Sequence, residues 1–284
     1  MTTKKVATTL GIDGFTGHNE LPIHTISWTV PKADATVIVF HGFGDHSARY
    51  DKFARTLNAD GLDVHSYDFQ GHGRSGGRWC YIQDFNDLAY DAKTMINAVK
   101  DQNPSRPLFL IGHSLGSLVI ANVLASKKIA EKVSGAILMS PTIEVAGAPS
   151  EPALSALVAA SPILSKVPTG TIDAEKVSAD PDVVAALIAD PFAYHRTIGL
   201  RTSLQLVRGG QIARKLARDI KTPALVLYGA NDQLSLPSGS KAFYEELKSD
   251  DKTLVEFPDA SHELFNDPAT PEVIATITSW IQEH

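Results

Sequence analysis

The sequence predicts an α/β protein: a mostly parallel central sheet flanked by helices, with an inserted helical segment. Three observations lead there. Short strand-like runs alternate with helical patterns along the 284 residues. A Gly-x-Ser-x-Gly turn, Gly112 to Gly116, joins one such run to a helix. Between Pro141 and Lys221 the rhythm of strand and helix breaks off.

"LPIHTISWTV", Leu21 to Val30, alternates in polarity and reads as a half-exposed antiparallel edge. Further strand candidates are Thr36 to Phe40, Leu62 to Tyr67, Leu108 to Ile111, Ala136 to Met139, Ala224 to Tyr228 and Thr253 to Phe257. Helical patterns cover Ala48 to Ala59, Asp84 to Lys100, Leu115 to Ser126, Ser238 to Lys248 and Pro271 to Gln282. Such an order builds right-handed crossovers on a sheet covered on both faces. The stretch from Pro141 to about Lys221 offers helix patterns and prolines but no convincing strand, and it is too long for one crossover. Residues 141–221 are therefore expected to form a helical cap on a core of residues 1–140 and 222–284. No linker flanks the segment, which argues against an independent domain.

Composition narrows the class. With 43% hydrophobic and 20% charged residues, the chain can bury a sizeable core. A net charge of -6 gives no basic footprint, which argues against a nucleic-acid partner. The single Cys80 cannot close an internal disulfide, and this suits a reducing cytoplasm. The start, MTTKKVATTLG, lacks the apolar core of a secretory signal, and no run of about 18 apolar residues is present to span a membrane. A cytoplasmic protein is expected, with its oligomeric state left open.

In open parallel sheets, chemistry gathers beyond the carboxyl ends of the strands. Ser114 follows one strand at the Gly-x-Ser-x-Gly turn, where the glycines leave room for a sharp bend that lifts the hydroxyl above the sheet. Asp232, in "LVLYGANDQLSLP", lies just past the strand ending at Tyr228. His262, in "VEFPDASHELF", lies just past the last strand. The other histidines downstream of Ser114 are His195, inside the cap, and His284, the last residue, so His262 is favoured as base. Asp219 precedes its strand, Asp250 and Asp251 sit in a charged turn, and Asp259 lies too near His262 in sequence to come from a separate loop. The order Ser, Asp, His is that of α/β-hydrolases. Such enzymes need two backbone N–H groups against the developing oxyanion. One comes from Leu115, after the nucleophile, and the other is expected from Phe43 in "HGFGDHSARY".

"HGFGDHSARY", "DFQGHGRSGG", "GHSLGS", "GANDQLSLP" and "DASHELFND" together resemble the monoacylglycerol lipase and lysophospholipase-like branch of the α/β-hydrolases. The similarity runs along nearly the whole chain, including "VSADPDVVAALIADPFAYH" in the cap segment. The resemblance implies a serine esterase with a helical lid acting on lipid monoesters, and it supports Ser114, Asp232 and His262 as the triad. It further implies head-group contacts at Asp45, Arg49, His113 and Tyr194. The chain departs from the family in three places. Asp45 stands where a glutamate is usual, Phe43 where the family often has a small residue, and Ser117 where a second glycine is usual. Other enzymes with the same triad stay open: a thioesterase, an aryl or phthalate-type monoesterase, or a small-peptide hydrolase. So does a low-turnover ligand receptor on the same fold. A haloalkane dehalogenase would need aspartate at position 114.

The remaining features are read structurally. "GHGRSGG", residues 71–77, lacks the glycine-lysine pairing of a phosphate loop, and the histidines His41, His46, His65 and His72 lack metal-ligand spacing. Cys80 reads as a small buried hydrophobe. No metal or organic cofactor is expected. "EPALSALVAASPILSKVP", residues 151–168, carries no charge from Pro152 to Ser165. Either it packs wholly onto the core, or Leu154, Leu157, Val158, Ile163 and Leu164 line an acyl tunnel and touch a lipid surface peripherally.

Overall fold

The computed structural model describes residues 14–144, 149–161 and 167–284. Strands β1 (Phe15–Thr16) and β2 (Pro22–Ile23) form a short antiparallel pair. The main sheet has seven strands: β3 (Thr25–Trp28), β4 (Ala35–Phe40), β5 (Leu62–Tyr67), β6 (Leu108–His113), β7 (Gly135–Met139), β10 (Ala224–Gly229) and β11 (Lys252–Phe257). Their spatial order is β11-β10-β7-β6-β4-β5-β3, parallel throughout except that β3 runs antiparallel along β5 at one edge. The half-exposed edge expected from "LPIHTISWTV" is this strand, split from β2 at His24.

The central strands are buried at every position because both faces are covered. Side chains alternate between two cores, as the pleat requires. Ile38, Phe40, Leu110, Leu138 and Val226 face one core, and Val37, Val39, Ile111, Ile137 and Leu227 face the other. Helices α2 (Phe85–Gln102) and α3 (Leu115–Leu124) cover the first core. Helices α1 (Asp51–Ala59) and α9 (Thr270–Glu283) cover the second. The short α4 (Lys127–Ala130) leads into β7, and α8 (Pro237–Glu246) lies between β10 and β11. Helix α2 starts at Phe85 because Asp84 is its cap, the carboxylate accepting the Asn86 N–H at 2.9 Å.

Between β7 and β10 the chain forms α5 (Glu151–Ala160), β8 (Pro168–Thr171), α6 (Pro181–Ala189), β9 (Thr197–Gly199) and α7 (Leu200–Leu216). The strands correct the expectation of an all-helical insertion: β8 and β9 pair antiparallel. "PTGT" and "TIG" are short and carry no apolar alternation to reveal them. Helix α7 ties the insertion down. Its buried Arg201 donates to Gln83 O at 2.8 Å, to Val158 O at 2.8 Å and to Ser161 Oγ at 3.0 Å. The buried stripe of α5 is Leu154, Val158 and Ser161, with Leu154 and Val158 packed against Leu204 of α7. Leu157 lies beside that stripe and is 42% exposed. Ile163 and Leu164 fall outside the described residues.

The 71–77 loop is structural. The Asp68 carboxylate accepts the N–H groups of Ser47 and Arg74, each at 2.8 Å, and the Ser47 hydroxyl at 2.5 Å. A Cβ on Gly73 would fall 2.2 Å from that carboxylate.

The tightest point of the fold lies where α3 leaves β6. A Cβ on Gly116 would stand 2.1 Å from the Phe40 carbonyl oxygen, a backbone atom that cannot swing aside. Gly116→Ala is expected to cost about 1–3 kcal/mol or more, as other overpacking changes do. Urea unfolding measures it, and a midpoint equal to that of the unmodified protein would refute this packing.

Candidate active site

Strand β6 ends at His113 and helix α3 begins at Leu115, so the whole turn is made at Ser114. Ser114 takes φ 53° and ψ −114°, a conformation L-residues rarely adopt and one that costs of order 1–3 kcal/mol. Its N–H is anchored on Met139 O at 2.9 Å, which fixes the bend to β7. Gly112 is needed as much as Gly116, since a Cβ there would meet Ser117 N at 2.6 Å. Ser117, in place of a glycine, is accommodated: its hydroxyl donates to Gly112 O at 2.8 Å and Met139 O at 3.1 Å. The Ser114 Oγ lies 2.8 Å from Thr142 Oγ1, which lies 2.7 Å from Ser235 Oγ.

Asp232 and His262 come from the loops after β10 and β11 and meet beside Ser114. The His262 Nδ1 donates to Asp232 Oδ2 at 2.8 Å. The other carboxylate oxygen accepts the N–H groups of Leu234 and Ser235, each at 2.8 Å. Burial works to raise the Asp232 pKa, but His262 and these donors outweigh it and the carboxyl sits below its usual range. Burial likewise works to lower the His262 pKa. The Asp232 carboxylate and its hydrogen bond prevail, and the imidazole sits above its usual value. The loop is pinned at His262 itself, whose carbonyl oxygen accepts from Ser140 Oγ at 2.9 Å and from His113 Nε2 at 3.2 Å.

The loop after β4 carries the other groups. His41 stiffens it, with Nδ1 on Gly42 O at 2.7 Å and Nε2 accepting the Phe69 N–H at 2.9 Å. Phe43 and Leu115 both line the cavity beside Ser114. Neither of their N–H groups donates to a described residue. Asp45 and Arg49 are buried together, Arg49 Nη1 donating to Asp45 Oδ1 at 3.0 Å. A residue that the sequence reading missed completes the cluster. Glu263 takes the Arg49 guanidinium bidentately, at 2.7 and 2.8 Å. Burial raises the Asp45 pKa, but Arg49 brings it down to about 2. Asp45 Oδ2 is buried with no hydrogen-bond partner among the described residues.

The cavity holds about 260 Å³ and is walled mainly by apolar side chains, among them Leu118 of the core and Ile172, Val177, Leu187, Ile198 and Val207 of the insertion. Ser114, His262, Asp45, Arg49, His113 and Tyr194 all line it. Two of these use their polar atoms internally. Both ring nitrogens of His113 are engaged, Nδ1 with Tyr50 OH at 3.2 Å, and the Tyr194 hydroxyl donates to Thr197 O at 2.6 Å. Leu157, expected at a tunnel wall, faces solvent instead, because the stripe beside it already packs on α7. Cys80 is buried, and burial pushes its thiol pKa up, away from nucleophilic use.

Two outcomes follow from this electrostatic arrangement. Asp232→Asn removes the nearest charge that holds the His262 pKa up and leaves burial opposed by the Glu263 and Asp45 carboxylates alone. The imidazole should then titrate lower than in the unmodified protein, where it sits above its ordinary value. Histidine NMR titration reads both, and equal values would refute the pairing. Glu263→Ala leaves Arg49 buried with one partner fewer and should destabilise by about 3–5 kcal/mol, the usual cost of breaking a buried pair from one side. Chemical unfolding measures it.

Residues 31–269 match the family described as serine aminopeptidase S33. The monoacylglycerol lipase of Mycolicibacterium smegmatis is 31% identical over 98% of this chain and 99% of that protein. A monoglyceride lipase of Rattus norvegicus is 30% identical over 87% of this chain and 82% of that protein. The crystal structure of Paleococcus ferrophilus monoacylglycerol lipase aligns with a TM-score of 0.78 at 28% identity, over 91% of this chain and 97% of that one. The chain belongs to the serine aminopeptidase S33 family and, within it, to the monoacylglycerol lipase-like hydrolases of the α/β-hydrolase fold.

Proposed function

We propose that the protein is a serine esterase hydrolysing lipid monoesters of the monoacylglycerol type, with Ser114 as nucleophile, His262 as base and Asp232 as its orienting acid. The observation that carries this reading is the strained Ser114 turn inside an apolar cavity, beside an imidazole already paired to a buried carboxylate. His262 takes the Ser114 proton as the oxygen attacks the ester carbonyl, and Asp232 fixes the tautomer and balances the imidazolium. The oxyanion forms against the Phe43 and Leu115 N–H groups. His262 returns the proton to the leaving alcohol, and water then hydrolyses the acyl-enzyme.

The head group is read from the polar corner. Asp45 Oδ2 is a buried acceptor with no hydrogen-bond partner among the described residues, and a hydroxyl of the leaving alcohol supplies the donor. Arg49, held by Asp45 and Glu263, fixes the carboxylate in place. The Phe43 ring closes the same side of the cavity, lying between His72 at 5.3 Å and Tyr194 at 6.4 Å. The acyl chain takes the apolar walls. Residues 141–221 act as the cap that shields them, and the exposed Leu157 and Val167 give that cap a peripheral contact with the lipid surface. Names of relatives such as the M. smegmatis lipase support monoacylglycerol as the substrate.

Ser114→Ala should lower kcat by about four orders of magnitude or more while leaving the unfolding midpoint unchanged. Leu157→Ser should leave hydrolysis of dissolved butyrate esters unchanged and slow that of vesicle-borne monooleoylglycerol. A Ser114→Ala enzyme at full rate removes the nucleophile. Equal rates on vesicles remove the surface contact.

A further inference from the structure

The Ser114 hydroxyl is hydrogen-bonded, but not to the imidazole. Its partner is Thr142 Oγ1 at 2.8 Å, and Thr142 is in turn partnered by Ser235 Oγ at 2.7 Å. His262 uses Nδ1 on Asp232, and among the described residues its Nε2 makes no hydrogen bond. The backbone of Ser114 is fixed at φ 53° between two glycines that tolerate no Cβ, so χ1 is the rotation left to it. Thr142 follows β7 and Ser235 follows β10, which places both hydroxyls in the cavity wall on the acid-and-base side of the serine. Ser235 cannot drift, because its N–H is held by Asp232 Oδ1 at 2.8 Å.

On the reading of Ser114 as nucleophile, we propose that Thr142, backed by Ser235, is a positioning residue that parks the Ser114 hydroxyl away from His262 in the free enzyme. Two serine rotamers compete. In one the hydroxyl is paired with Thr142; in the other it donates to the neutral imidazole. When the serine turns to His262, Thr142 keeps Ser235 as a partner, so no buried hydroxyl is left unsatisfied. A neutral hydrogen bond tilts such an equilibrium by about 2- to 10-fold. The same bond affects the base. A serine donating to Nε2 favours neutral imidazole, so freeing the serine should lower the pH at which His262 protonates. The ionisable side chains facing His262 are Asp232, Glu263, Asp45 and the ring of His113 at 4.7 Å, and none of them is altered by a change at Thr142.

Thr142→Val keeps the β-branched shape and removes the hydroxyl. An uncharged fluorophosphonate should then label Ser114 about 2- to 10-fold faster, and the acidic limb of the labelling rate should move to lower pH by up to about one unit. Thr142→Ser should restore both values, and Thr142→Ala provides a second deletion with the same expectation. Slower labelling with an unmoved limb makes Thr142 a structural or assisting group and overturns the proposal. Unchanged rate and limb overturn it as well. Labelling of Ser114→Ala at the unmodified rate is a separate result: it removes the nucleophile itself, and the parking role with it.

Discussion

The close approach of α3 to β4 governs the rest of the site. Gly116 passes so near Phe40 that a Cβ would stand 2.1 Å from its carbonyl oxygen, so the chain must turn from strand to helix within a single residue. That residue is Ser114, and its positive φ is the consequence. The strain persists because its surroundings over-determine it. Strand β6 is buried at every position, α3 nearly so, and the Ser114 N–H and Ser117 hydroxyl both hold Met139 O on the neighbouring strand. The bend also leaves the Leu115 N–H without a partner among the described residues, at a helix start beside the cavity where negative charge is favoured.

Around this turn, burial acts alike on several imidazoles and neighbours decide the result. His72 and His113 are brought down to about 3 by burial, and His41 is lowered for the same reason. Kept neutral, they serve as connectors: His41 bridges Gly42 to Phe69, and His113 bridges Tyr50 to the His262 carbonyl. His262 is no less buried, yet its pKa rises, because Asp232 lies 2.8 Å from Nδ1. The Asp232 carboxylate in contact sets His262 apart from His41, His72 and His113.

Most of this architecture was legible in the sequence, because it rests on local signals. Buried runs such as "ATVIVF" and "LFLIGH" mark the central strands, the alternating "TISW" marks the edge, and the paired glycines mark the serine turn. Strand ends bring Asp232 and His262 to that turn by topology alone. What stayed hidden depends on contacts between distant residues. Arg49 and Glu263 are 214 positions apart, and nothing local to either announces a bidentate pair. Thr142 and Ser235 are ordinary hydroxyls until β7 and β10 lie side by side. In α5 every residue from Pro152 to Ala160 but Ser155 is apolar, so the pattern could not say that Leu154 and Val158 would pack inward and leave Leu157 outside. The β8–β9 ribbon escaped because its residues have weak strand preference and are mostly exposed.

The charge at the polar corner limits what the cavity can accept. Arg49 offers a cation that would draw an anionic head group, but two carboxylates have already engaged its guanidinium. Arg49 holds Asp45 ionised, while burial and the neighbouring Asp45 charge push the Glu263 carboxyl above its usual range, so the corner carries no free positive charge to offer. An anionic head group would have to displace one carboxylate from Arg49 and leave it unpaired in an apolar wall, a cost of several kcal/mol. A neutral alcohol avoids that cost. On the same reading its hydroxyl donates to Asp45 Oδ2, an acceptor without a hydrogen-bond partner among the described residues, while its acyl chain meets side chains that ask for nothing polar. On the head-group reading proposed above, the Arg49–Glu263 pair is electrostatic selection as well as scaffold, favouring uncharged esters with a free hydroxyl over charged ones of the same size.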